Sequence, residues 1–355
     1  MKIFSRRRPT AGGFAFLAAL LSACGGPSVG ASPTSASASP MVSASPPTPT
    51  VGPGFGPIAY DAARQRIVLF GGPAAGSHTW TWDGTAWTRQ QPATEPPIES
   101  KKDMATVALP MAYDEVHRTV VLLVAHPTGI DGPPPVPPDT WTWDGTTWTR
   151  QAISLPPSAD GSMVYSAASK RVLLLGTVTT SKQTTPHMWS WTGTYWEELH
   201  AAQFPPSSGP MAYDAARGQV VLLIPSPTPN PPAHGTDTWT WDGTTWTQRH
   251  PASSPAASTG GATAIAYDAD RKTVVMFGGL YLANSALDQT WTWDGTSWTM
   301  KRPATIPPAR FNHAMAYDAS THTLLLTGGA AISLGGSITG LTDSWSWDGL
   351  TWTRR

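Results

Sequence analysis

The chain has 355 residues, with 23 Lys plus Arg balanced by 23 Asp plus Glu. This leaves no basic surplus for a nucleic-acid backbone, and a single cysteine excludes an internal disulfide framework. Charged residues are only 13%, whereas Pro (36), Gly (33) and above all Trp (18) are abundant, which implies many turns and a core filled with large rings.

In chain order, Arg6, Arg7 and Arg8 come first, followed by an apolar stretch from about Ala11 to Leu20. That stretch is too short to span a bilayer and fits the apolar region of an export signal. It runs into Leu21-Ser22-Ala23-Cys24, which resembles the bacterial lipobox. The resemblance implies a signal peptide over residues 1–23, acylation of Cys24, and an exported protein anchored by lipid to the bacterial cell membrane. Stable attachment takes two or more acyl chains. Residues 24–52 are mostly Ser, Pro, Ala, Thr and Gly without charge, a composition that cannot bury enough apolar surface to fold. They are expected to form a disordered tether.

The remainder, residues 53–355, is one unit repeated six times. Each unit opens with a small-residue strand ending in tyrosine, at Tyr60, Tyr113, Tyr165, Tyr213, Tyr267 and Tyr317. An Asp follows in five units, and Ser166 in the third, suited to starting a turn. Next comes an unbroken aliphatic run such as Val220-Val221-Leu222-Leu223, the pattern of a strand buried on both faces. A variable loop leads to Trp-x-Trp, Asp-Gly (Thr192-Gly193 in unit three) and a third Trp.

The triplets are Trp80, Trp82 and Trp87; Trp141, Trp143 and Trp148; Trp189, Trp191 and Trp196; Trp239, Trp241 and Trp246; Trp291, Trp293 and Trp298; and Trp345, Trp347 and Trp352. Together they account for all 18 tryptophans. The Asp-Gly pairs predict type I′ hairpins, with Trp80 opposite Trp87 and Trp82 on the same sheet face. Burying one such ring removes ~150–250 Å² from water, roughly 4–6 kcal/mol before ordering costs. Recurrence in every unit marks these rings as structural core. The expected fold is all-β: a six-bladed β-propeller with four antiparallel strands per blade. The phase of the repeat predicts that each blade is one continuous unit.

The unit resembles the Kelch repeat, as in the galactose oxidase central domain. The resemblance rests on the Trp pair and on the doublets Gly71-Gly72, Gly278-Gly279 and Gly328-Gly329, which close the second strand. Units two to four depart from it with Val124-Ala125, Gly176-Thr177 and Ile224-Pro225. Pro308-Ala309-Arg310 and His313 make unit six the closest match. The copper radical chemistry of galactose oxidase requires a cysteine cross-linked to tyrosine, and Cys24 lies outside the repeats. No cofactor or metal centre is expected.

In such a blade, loops 1–2 and 3–4 share one face, and loops 2–3 and 4–1 share the other. The second set is long, variable and proline-rich, the usual seat of binding on a rigid scaffold. His78, Asp139, His187, Asp237 and Asp343 precede the Trp pairs and are candidate ligand contacts at the channel mouth. The recurrence of Asp-Thr-Trp favours instead a structural cap on the entry to the third strand. Arg310 and His313 either line the cavity or form a buried pair. Glu95, Glu99 and Asp103 cluster in the first inter-blade loop without a histidine to complete a metal set.

The sequence therefore points to a surface module that binds a protein or glycan through its long-loop face. The alternative is a sugar-acting enzyme of the Kelch-type epimerase kind, which requires an arginine and a carboxylate within reach in a channel-mouth pocket.

Overall fold

The computed structural model describes residues 54–72, 78–97, 109–125, 138–153, 161–179, 183–226, 235–256, 262–281, 285–333 and 335–355. The segments expected to be a signal peptide (1–23) and a tether (24–52), Cys24 included, lie outside the described residues, as do Glu99 and Asp103. All regular structure among the described residues is β: six four-stranded antiparallel sheets whose strands neighbour in chain order, and two two-stranded ribbons inserted between the second and third strands of the last two sheets. Blade 1 comprises Ile58–Asp61, Arg66–Phe70, Thr79–Trp82 and Trp87–Arg89. Blade 6 comprises Ala314–Asp318, Thr323–Thr327, Ser344–Trp347 and Trp352–Arg354. The first strands of successive blades touch around the whole circle, that of blade 6 against that of blade 1. The protein is a six-bladed β-propeller, and each blade is one sequence repeat.

The second strands are buried on both faces, as their unbroken aliphatic runs require: Ile67, Leu69 and Phe70 have no exposed surface, nor do Val220, Val221 and Leu222. One face of each second strand packs on the neighbouring blade's tryptophans. Trp141, Trp143 and Trp148 of blade 2 enclose Ala59, Val68 and Phe70 of blade 1. The same arrangement recurs at each junction, and Trp82 and Trp87 of blade 1 close the ring on Ala316 and Leu325 of blade 6. Each triplet thus forms the core between its own blade and the preceding one.

The hairpin register differs from expectation. Trp82 lies opposite Trp87, and Trp80 lies opposite Arg89. The turn is not type I′, because of its Asp-Gly pair only Gly84 takes a positive φ, at 96°. Asp83 Oδ1 accepts the backbone N–H groups of Thr85 (2.9 Å) and Ala86 (2.8 Å), so its carboxylate organises a longer loop. The three rings nevertheless share one face, with Trp82 and Trp87 centroids 5.5 Å apart.

On the long-loop face, blades 5 and 6 carry small ribbons, Leu280–Tyr281 with Ser285–Ala286 and Ala330–Ile332 with Ile338–Gly340. A satellite core of Ala262, Phe311 and Ala330, joined by Phe55, lies beneath them.

Candidate functional site

The two faces are built differently. On the short-loop face, the turns after the first strands of blades 1, 3, 4 and 5 are hydrogen-bonded to the next blade. Arg64 Nη1 donates to Asp61 Oδ2 (2.8 Å) and to the Arg118 carbonyl of blade 2 (3.1 Å). Arg217 repeats this with Asp214 (2.8 Å) and the Lys272 carbonyl (3.2 Å). The tyrosine rings complete the fastening: Tyr113, Tyr213 and Tyr267 accept the N–H groups of Ala63, Ala168 and Ala216 at 3.0–3.1 Å. Tyr317 instead donates to Asp270 Oδ2 at 2.9 Å, and burial followed by this carboxylate pushes its phenol pKa upward. Arg64, Arg217 and Arg271 also lie across the hairpin glycines Gly145, Gly295 and Gly349, where any Cβ would collide with the guanidinium arm. The polar groups of this face are largely engaged with one another.

On the long-loop face, the sequence-derived candidates sit at the start of the third strands, two strands away from the channel-lining first strands. Four of them pair across strands three and four with the residue eleven positions later. His78 Nδ1 is 3.0 Å from Arg89 Nη2 and 3.5 Å from Glu95. Asp139 accepts from Arg150 at 2.6 Å, and Asp237 from Gln248 at 3.1 Å. His187 Nδ1 is 2.7 Å from Glu198 Oε1. Among the described residues, no group of three or more His, Cys, Asp or Glu side chains is placed to hold a metal ion.

Arg310 and Asp343 are brought together. Arg310 is fully buried and donates Nη1 and Nη2 to the two Asp343 oxygens at 2.8 and 2.9 Å, with a further bond to the Gly328 carbonyl at 2.9 Å. Asp343 also accepts the Trp345 indole N–H at 2.7 Å. Burial works to raise the Asp343 carboxyl, but the Arg310 hydrogen bonds and charge outweigh it and hold the pKa below the ordinary carboxylate value. His313 is buried edge-on to Phe277 at 5.7 Å, and neither ring nitrogen has a partner among the described residues. Burial, then the charge of Arg310, depress its pKa to about 3, so the ring is neutral. The sequence reading of a buried pair between Arg310 and His313 is corrected: Arg310 pairs with Asp343, because both carboxylate oxygens lie within reach of its guanidinium, and the neutral His313 is packed nearby.

A groove of about 460 Å³ lies on blade 3, lined by Thr185, Pro186, His187, Glu198, Leu199, His200 and Phe204-Pro205-Pro206. Its walls are the third strand Thr184–Trp191, the fourth strand Trp196–Leu199 and the loop leading to blade 4. Sequence reasoning found His187 through its position before a Trp pair. It missed Glu198 and His200, because only the strand 3–4 register brings them beside it.

No known protein-family profile matches the chain, and no curated protein sequence matches it. Solved structures do. YjhT aligns with a TM-score of 0.59 over 87% of this chain and 98% of its own, at 14% identity. A fungal lectin from Aleuria aurantia, described as a six-bladed β-propeller with a novel fucose recognition mode, aligns with a TM-score of 0.50 over 82% of this chain and 89% of its own, at 13% identity. Both likenesses concern the fold.

Proposed function

We propose that the domain is a non-enzymatic binding module of Kelch type, displayed on the bacterial cell surface through lipid on Cys24, and that it takes a glycan or protein ligand on its long-loop face. One observation carries this reading: the short-loop face is occupied by inter-blade fastenings, whereas the long-loop face carries a groove of ligand size on blade 3. The likeness to a fucose-binding propeller lectin is compatible with a glycan ligand. The sugar-enzyme alternative needs an arginine and a carboxylate open to substrate. Arg310 and Asp343 satisfy each other, and Arg310 has no exposed surface, which favours binding over turnover.

The test is a glycan array and an envelope pull-down with the purified protein. Saturable capture without chemical change of the captured molecule is expected. Release of an altered sugar would establish the enzymatic reading instead.

A further inference from the structure

We propose that the blade 3 groove is the ligand site and that its ligand is a neutral sugar; this rests on the binding reading above and narrows it. The first argument is the groove's hydrogen-bonding pattern. Glu198 Oε1, 2.7 Å from His187 Nδ1, fixes the ring proton there when the imidazole is neutral. His187 Nε2, 3.0 Å from Thr185 Oγ1, is then the acceptor for the threonine proton. His187 also stacks on Trp189 at 5.8 Å with an interplanar angle of 16°, so its orientation is set from two sides. With that proton committed, Thr185 and Glu198 offer acceptors to the groove, and a ligand must bring donors.

His200 is exposed and makes no hydrogen bond among the described residues. The lining contains no lysine or arginine, so an anion would face the Glu198 carboxylate without a counter-charge. Leu199 and Phe204 supply an apolar wall suited to the C–H face of a pyranose. A neutral polyol with one apolar face fits every one of these features.

The second argument is that blade 3 departs from the repeat at several positions, although it keeps the Ala168–Tyr213 bond to blade 4. Ser166 replaces the turn aspartate that the other five blades carry; Ser169 stands at the position of Arg64, Arg217 and Arg271, which blades 2 and 6 fill with His117 and Thr321. Met188 replaces the threonine or serine that receives a tryptophan N–H elsewhere, leaving Trp246 Nε1 buried without a partner among the described residues. Its second and third strands, Arg171–Thr179 and Thr184–Trp191, are also the longest described, at nine and eight residues. Local structural rules are relaxed where function is located.

The test is calorimetry of the purified protein with methyl glycosides of glucose, galactose, mannose, fucose and N-acetylglucosamine, alongside glucuronic and sialic acids. At least one neutral glycoside is expected to bind saturably, with the acids tenfold weaker or worse. Glu198→Gln and His200→Ala are each expected to weaken binding about tenfold or more while leaving the melting temperature unchanged, both residues being exposed. Binding that survives both substitutions would remove the groove assignment and leave the long-loop-face reading standing. Binding of only the acids, or of none of the sugars, would remove the neutral-sugar assignment. Capture of a protein on the same face would then still support a binding module.

Discussion

The hydroxyl of Thr79 in blade 1 accepts the indole N–H of Trp148 in blade 2 at 2.8 Å. The same bond joins Trp196 to Thr140, Trp298 to Thr238 and Trp352 to Thr290 at 2.9–3.0 Å, and Trp87 to Ser344 closes the ring at 3.0 Å. The junction between blades 3 and 4 lacks it, because Met188 occupies the acceptor position. Thr79→Val keeps the shape and orphans a buried donor. It is expected to destabilise the domain by about 1–3 kcal/mol in urea unfolding. Trp148→Phe should likewise cost about 1 kcal/mol more than Trp246→Phe, whose N–H has no bond to lose. Equal costs at the two positions would mean that the hydroxyl bond contributes nothing.

The Arg64–Gly145 contact predicts a coupling between blades. Gly145 has φ +101° and lies under the Arg64 side chain, whereas Gly243 has φ +107° and open space beyond it. Alanine at Gly243 should cost about 1–2 kcal/mol, from left-handed backbone alone. Alanine at Gly145 should cost more, because Arg64 must leave Asp61. Removing the arm with Arg64→Ala should recover part of that excess in a double-mutant cycle, with coupling of about 0.5–3 kcal/mol. Additive effects would show that the arm moves aside freely.

The Arg310–Asp343 pair is bidentate, with Arg310 fully buried and Asp343 largely so. Arg310→Ala should cost about 3–5 kcal/mol by leaving the largely buried Asp343 carboxylate without its counter-charge. Arg310→Lys should recover only part of this, since an ammonium cannot hold both oxygens and the Gly328 carbonyl in one plane. Thermal or urea unfolding of the two variants measures the difference.

His313 makes stability depend on pH with a definite sign. Its pKa is about 3 in the fold against 6.5 in the unfolded chain. As pH falls below about 6.5, the unfolded chain takes up a proton that the native ring refuses. Stability is therefore lost progressively down to about pH 3, by at most about 1.4 kcal/mol per pH unit. Asp343, with its pKa lowered in the fold, adds loss in the same direction once pH falls through the ordinary carboxylate range. His313→Phe should flatten the slope of unfolding free energy between pH 6 and 4. An unchanged slope would assign the acid sensitivity elsewhere.

The propeller was legible because its determinants are local and repeated. Trp-x-Trp, the aliphatic run and the Asp-Gly turn each encode one strand or hairpin, and six copies fix the ring. The hairpin register was not legible. Asp83 bonds to Thr85 and Ala86 through its side chain, and this competes with the backbone turn that Asp-Gly otherwise favours. The His78, Asp139, His187 and Asp237 series was visible as a position, but the partner of each depends on that register. The glycine under Arg64 and the missing acceptor at Met188 are contacts between blades, which no single repeat encodes.

The measurement that bears most directly on the central claim is capture after one face of blade 3 is blocked. In a Cys24→Ser background, cysteine is introduced at Tyr195, exposed in the short 3–4 loop, or at Ala202, exposed in the loop to blade 4, and coupled to a polyethylene glycol maleimide. Each protein is then applied to the glycan array and to the envelope preparation. Capture should persist with the polymer at position 195 and be lost with it at position 202. Loss at 195 with retention at 202 would place the ligand on the short-loop face and contradict the account.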